Sequence, residues 1–142
     1  MIYLPDVNVW IALTSDRHVH HLIAKNWFQS IGTEQIAFCR ITELGFLRLL
    51  TNGHVMGEDV LEPVGAWQVY DEFRADQRVI FLPEQIGFSE HWRKAGQQIS
   101  GGANAWTDAY LAAFASQAQA TVVTFDRRFK TLSDSSVLKL SG

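Results

Sequence analysis

Apolar residues along this 142-residue chain fall into two kinds of run that alternate. The first kind is short and almost unbroken: Ile2-Tyr3-Leu4, Ile36-Ala37-Phe38, and residues 79–82, 121–125 and 137–140. Short runs without polar alternation suit strands buried on both faces. Pro5 ends the first of them, since proline has no N–H to give to a sheet ladder. The second kind has helical spacing. Residues 7–14 predict a short helix, and Ala24, Trp27, Phe28 and Ile31 stand at i, i+3, i+4 and i+7 of another. A third helix covers residues 41–51 and stops near Asn52-Gly53, read as a C-cap. Pro63 opens a fourth that reaches about Ala75. Residues 87–99 follow, broken by Ser100-Gly101-Gly102, and the alanine-rich residues 106–117 complete the set.

Strands that alternate with helices predict a parallel sheet covered on both sides. The expected fold is therefore α/β, a three-layer α/β/α sandwich around a short parallel sheet. No repeat or linker interrupts it, so residues 1–142 read as a single domain.

Composition narrows the function classes. With 47% hydrophobic and 19% charged residues the chain can bury a core and is not disordered. No apolar run approaches the ~20 residues that span a bilayer, so no membrane role is expected. The opening residues lack a basic segment before an apolar stretch, which argues against a secretory signal. The single cysteine, Cys39, has no internal disulfide partner and suits a reducing cytoplasm. It reads as a small apolar residue at a strand end. The net charge of −3 argues against a strongly basic nucleic-acid binder. Yet setting aside four acids for one metal site would leave the remainder slightly basic. The global charge decides little.

Four acids stand out by position. Asp6 follows the first strand and Asp126 the strand over residues 121–125, while Glu43 and Asp108 lie in the first turns of helices. In a parallel sheet, the carboxyl ends of strands and the amino ends of the helices that follow share one edge. Glu43 shares a helical face with Phe46, Leu47 and Leu50, and Asp108 with Leu111, Ala112 and Ala115. An acid on an apolar stripe is costly without a compensating partner. A helix amino end supplies only about 0.3–1 kcal/mol. Each acid taken singly reads equally as a turn or capping residue. Together on one edge they point to a cation, and hard oxygen ligands without nearby cysteine or paired histidine favour Mg²⁺ or Mn²⁺ over zinc. Their mutual repulsion predicts that at least one has a raised pKa.

The runs PDVNVWIAL, ITELGFLRLLTN, NAWTDAYLAAFA and VVTFDRRF, in that order, resemble a PIN-domain nuclease, and closely a VapC-type toxin of a toxin–antitoxin pair. Each run is weak alone; the four together cover nearly the whole chain. The resemblance implies a parallel α/β/α sandwich, a Mg²⁺- or Mn²⁺-dependent endoribonuclease, an RNA substrate and a cognate antitoxin. It places the acidic cluster on Asp6, Glu43, Asp108 and Asp126, with Asp6 and Asp108 as direct metal ligands. Glu43 and Asp126 would bind a second ion or hold the waters of the first. It also draws attention to Asn8, Asn104 and Thr124. The two asparagines either orient water or satisfy turns. Thr124 either hydrogen-bonds a carboxylate or is simply a strand residue.

Other readings share parts of this pattern. A non-toxin PIN nuclease in RNA processing and a non-catalytic RNA-binding relative share the fold. An aspartyl-phosphate phosphatase would want a second Asp two positions after Asp6, where this chain has Asn8. His18, His20 and His21 lack the i, i+4 spacing of a helical metal pair and read as exposed. Trp106 reads first as a core residue and second as a stacking surface for an unpaired base. Arg127 and Arg128 bind phosphate or an acidic partner, or form a solvated turn. Five tryptophans and nine phenylalanines exceed what one small core readily encloses, which predicts a homodimer.

Overall fold

The computed structural model describes residues 1–99, 101–132 and 135–141. Strand β1 (Ile2–Pro5) leads into helix α1 (Val7–Thr14) and then α2 (His21–Ser30). Strand β2 (Gln35–Phe38) is followed by α3 (Arg40–Leu50), the short α4 (Gly53–Met56), a 3₁₀ turn over Gly57–Asp59, and α5 (Pro63–Ala75). Next come β3 (Val79–Phe81), α6 (Phe88–Gly96), α7 (Ala105–Ala118), β4 (Thr121–Thr124) and β5 (Ser136–Lys139). All five strands pair in parallel, in the order β3-β2-β1-β4-β5. The chain thus builds outward from β1 to one side, then returns and builds outward on the other. The reversal falls between β1 and β4, where open α/β sheets leave a crevice at the carboxyl ends of their strands.

Each strand feeds two cores. Leu4, Ala37 and Val122 face one cluster with Tyr110, Leu111 and Phe114 of α7 and Phe88 of α6. Ile36, Phe38 and Val123 face the other, with Trp10 of α1, Phe46 of α3 and Tyr70 of α5. Trp10 and Phe38 stack with ring centroids 3.9 Å apart. The two cores absorb most of the aromatic side chains. Among the described residues no phenylalanine is a large exposed apolar residue, and of the tryptophans only Trp67 and Trp106 are. The two cores thus take up most of the aromatic residues on which the homodimer expectation rests, with Trp67 and Trp106 outside them.

Several element ends shift from expectation. Asn52 is not a C-cap of α3: its side chain accepts from the His54 N–H at 2.9 Å and starts α4, an element that four residues of weak periodicity conceal. Helix α6 stops at Gly96 rather than 99. The positive φ values of Gly101 and Gly102, 70° and 99°, make the break before α7. Helix α7 ends at a left-handed Gln119, with the Ala120 N–H returning to the Ala115 carbonyl at 2.9 Å.

Helices α1 and α3 approach closely at Gly45, where a Cβ would lie 2.8 Å from Cγ2 of Val7. Valine in a helix has one strongly preferred χ1, so it yields at a cost. Gly45→Ala should therefore destabilise the protein by about 1–2 kcal/mol, the overpacking penalty outweighing the ~1 kcal/mol that alanine normally gains over glycine in a helix. A thermal melt checks this. A melting temperature at or above wild type would show that the contact relaxes freely.

Candidate active site

The crevice between β1 and β4 collects the carboxylates. Asp6 is the N-cap of α1: its Oδ1 accepts from the Asn8 N–H at 3.0 Å and the Val9 N–H at 3.3 Å. Its Oδ2 accepts from the hydroxyl of Thr124, fully buried at the end of β4. The same hydroxyl oxygen accepts from the Asp126 N–H at 3.0 Å. Thr124 thus joins two of the four acids and is the carboxylate partner that the sequence left as one of two readings. Asp126 is exposed, and its Oδ1 accepts from the Arg128 N–H at 2.9 Å. Asp108, half-buried in the first turn of α7, has its backbone N–H on the Asn104 carbonyl at 2.8 Å. No hydrogen bond among the described residues reaches its carboxylate.

Burial is the largest influence on both inner acids. Asp6 is raised above the ordinary carboxylate range by desolvation, opposed by the bonds from Thr124, Val9 and Asn8 and reinforced by the charge of Asp126. Asp108 is pushed up to about 6, by burial first and then by the charges of Asp126 and Asp6. The expected rise is present, but desolvation outranks the mutual repulsion from which it was predicted.

Glu43 behaves differently. It is 9% exposed in the first turn of α3, as the apolar stripe implied, but it is engaged on its own side of the site. Arg40 Nη1 lies 2.5 Å from its Oε1, and the Tyr70 hydroxyl hydrogen-bonds to it. Tyr70 also receives a bond from Arg74 Nη1 at 3.0 Å, and its phenol is pushed up to about 12 by burial and by the bond to Glu43. The charge acting on Asp6 is that of Asp126, and those acting on Asp108 are those of Asp126 and Asp6. Electrostatics thus links Asp6, Asp108 and Asp126, while Glu43 is held by Arg40 and Tyr70.

The supporting residues divide. Asn8 and Asn104 are both exposed; Asn8 contributes its backbone N–H to Asp6, and Asn104 occupies the N-cap position of α7 without a side-chain capping bond. Cys39 is buried as expected, at the N-cap position of α3, where its N–H donates to Thr42 Oγ1 at 3.0 Å. The three histidines are half-buried rather than exposed. His20 stacks on Phe125, ring centroids 4.4 Å apart, and His21 Nδ1 lies 2.7 Å from the Ala12 carbonyl oxygen. Trp106 is not in the core: it is 61% exposed, and its ring lies over Gly96 of α6, where a Cβ would stand 3.0 Å from Cζ3. Sequence reasoning missed Arg40 and Tyr70 as the anchors of Glu43. The i, i+3 spacing of Arg40 and Glu43 was a visible signal; Tyr70 had none.

Residues 3–134 match the family described as PIN domain. The chain belongs to the PIN-domain family. Within that family it is 37% identical to Ribonuclease VapC41 of Mycobacterium tuberculosis over 131 residues, 89% of this chain and 90% of the relative. Among solved structures, VapBC2 from Rickettsia felis, bound to a DNA fragment from their promoter, aligns with a TM-score of 0.72 at 15% identity, covering 99% of this chain and 100% of that one. A toxin–antitoxin complex from Klebsiella pneumoniae aligns at 0.60 with 19% identity, covering 94% of each chain. At these identities the structural likeness speaks for the PIN fold.

Two measurements test the site's electrostatics. A folded-state pKa raised to about 6 means that Asp108 contributes stability below its unfolded value, and that this is lost as pH rises through 6. In chelator, wild type should lose stability between about pH 4 and 7 relative to Asp108→Asn. At pH 7 the variant should melt roughly 3 °C higher, since solvent screening of this half-exposed group leaves about 1 kcal/mol. Equal melting at both pH values would place Asp108 in an ordinary aqueous environment. Thr124→Val keeps the shape but strips partners from Asp6 Oδ2 and the Asp126 N–H. A loss of about 1–3 kcal/mol in denaturant unfolding is expected, and an unchanged midpoint would show that the Thr124 bridge is dispensable.

Proposed function

We propose that this PIN-domain protein is a Mg²⁺- or Mn²⁺-dependent endoribonuclease acting as the toxin of a toxin–antitoxin pair, held in check by a cognate antitoxin. The observation that carries the reading is the convergence of Asp6, Asp108 and Asp126 at the sheet's reversal point, in a chain whose relative VapC41 is named a ribonuclease. A cognate antitoxin is the partner this reading brings, as in the toxin–antitoxin complex from Klebsiella pneumoniae.

The donor set suits a hard divalent ion. It is all oxygen, and the half-buried Asp108 carboxylate has no hydrogen-bond donor of its own among the described residues. No three His, Cys, Asp or Glu side chains among the described residues close on one point as a ready-made cage. That openness is compatible with Mg²⁺, which commonly keeps several waters and takes one or two carboxylates. Asp6 and Asp108 would hold the ion, and Asp126 and Glu43 would hold its waters or a second ion. When bound, the ion strengthens water as a nucleophile and offsets charge on the phosphate under attack.

The chain's own groups have separable tasks. Thr124 and the first turn of α1 fix the Asp6 carboxylate against rotation. Asp108, whose carboxylate has no donor among the described residues, keeps its oxygens available to the ion. Arg40 and Tyr70 hold the Glu43 carboxylate in one orientation.

Incubation with a mixed pool of structured RNAs, in Mg²⁺ and in chelator, tests the proposal. Discrete cuts are expected in Mg²⁺ and none in chelator. Asp108→Asn, a nearly isosteric change, should reduce cleavage to background while the protein still melts cooperatively. Cleavage at the wild-type rate by purified Asp108→Asn in saturating Mg²⁺ would remove this residue from the mechanism.

A further inference from the structure

Glu43 is held from two sides, and the two holds are unlike. On one side is Tyr70 of α5, buried, whose hydroxyl hydrogen-bonds to the carboxylate and accepts from Arg74 Nη1 at 3.0 Å. With Arg74 donating into its oxygen, the phenol gives its own proton to Glu43. Its ring packs against Phe38 and Trp67, so this hold is anchored in the core. On the other side is Arg40, with Nη1 2.5 Å from Oε1. Its side chain is 71% exposed. Apart from Glu43 its guanidinium meets the face of Phe81, 4.8 Å from the ring centroid. Arg40 can therefore turn into solvent while the core stays packed.

The place of Arg40 is also an unfavourable one. It is the first residue of α3, and the amino end of a helix favours anions and disfavours cations. Glu43, in the first turn, suits that end without help. The arginine thus stands against the helix dipole, beside an acid that the helix end and Tyr70 already favour. What it changes is the availability of the carboxylate. A guanidinium and a divalent ion are both cations, and they compete for the same oxygen.

We infer that Arg40 is a removable latch: its guanidinium occupies Glu43, and the carboxylate joins in holding a divalent ion only after Arg40 has turned away. The inference rests on the metal-dependent ribonuclease reading and adds an order of occupancy to it. Asp6 and Asp108 take an ion first, and Glu43 takes part once unlatched. Tyr70 keeps the carboxylate aimed through the exchange.

Titration of the protein with Mn²⁺, the free ion followed by its electron paramagnetic resonance signal, tests the latch without RNA. Arg40→Ala should bind Mn²⁺ about fivefold more tightly than wild type, at the upper end for one partly exposed ion pair. Removing a positive charge favours a cation even from a distance, and Glu43→Gln separates the two effects. In the wild-type protein Glu43→Gln should weaken Mn²⁺ binding by about twofold at most, since the carboxylate is already taken. Combined with Arg40→Ala it should weaken binding by about fivefold and cancel the gain. Charges acting only at a distance would give the same loss on both backgrounds. Cooperative melting of each variant in chelator checks that the fold is kept. An equal loss from Glu43→Gln with and without Arg40→Ala would overturn the inference. So would Mn²⁺ affinity unchanged by Arg40→Ala; if wild type still binds Mn²⁺ and cleaves RNA, only the latch falls. If neither wild type nor Arg40→Ala binds Mn²⁺, the metal-dependent reading falls and takes the latch with it.

Discussion

One hydroxyl ties the site to the sheet. Thr124 donates to Asp6 and accepts from the Asp126 backbone, so the ends of β1 and β4 are joined by a side chain as well as by the ladder. The arrangement is available only because the two strands run parallel and side by side, with their carboxyl ends at one edge. Asp6 also begins α1 by capping it. Fold and chemistry therefore compete for the same carboxylate. Three donors already engage its two oxygens, and burial raises its pKa in spite of them. Asp108 has the complementary character: desolvated, close to other acids and unserved by any donor among the described residues. The edge thus sets a fixed acid beside a free one.

Much of this was legible in the chain before any coordinates. The five apolar runs became the five strands, and the alternation of strand and helix implied the layers, because a strand covered on both faces has little room for polar residues. The position of Asp6 and Asp126 after strands, and of Asp108 at a helix start, followed from the geometry of parallel sheets without any contact information. What local pattern could not carry was tertiary. Asn52 and Gly53 signal the end of one helix and the start of another equally well, and only the packing chose. The separate anchoring of Glu43 depends on Tyr70, which lies on a different helix and has no fixed spacing to it. The apolar stripe located Glu43 as a buried acid but was silent about which cation would meet it.

Trp106 is the instructive reversal. Tryptophan on an alanine-rich, deeply buried helix suggests core, and most of α7 is indeed enclosed on every side, with residues 109–116 all buried. Its first turn, however, leaves Trp106 exposed, with the indole lying over Gly96 of α6. Exposure of this sort is decided by the partner element, so no periodicity within α7 reports it. Likewise the acidic net charge conceals a local cationic stretch, because Arg127, Arg128 and Lys130 stand close together after β4.

The bond between Thr124 and Asp6 spans 118 positions of sequence, which gives the protein a built-in order of events during synthesis. A nascent chain can present Asp6 and Glu43 long before α7 and β4 have left the ribosome, but it then lacks both the hydroxyl that orients Asp6 and the two acids that complete the edge. The central strand β1 must meanwhile wait with one side unpaired, since its neighbour β4 is among the last strands made. Such non-local pairing is slow to form. Lateness is thus built into the topology: a chain that stops before α7 has neither Asp108 and Asp126 nor the hydroxyl that orients Asp6.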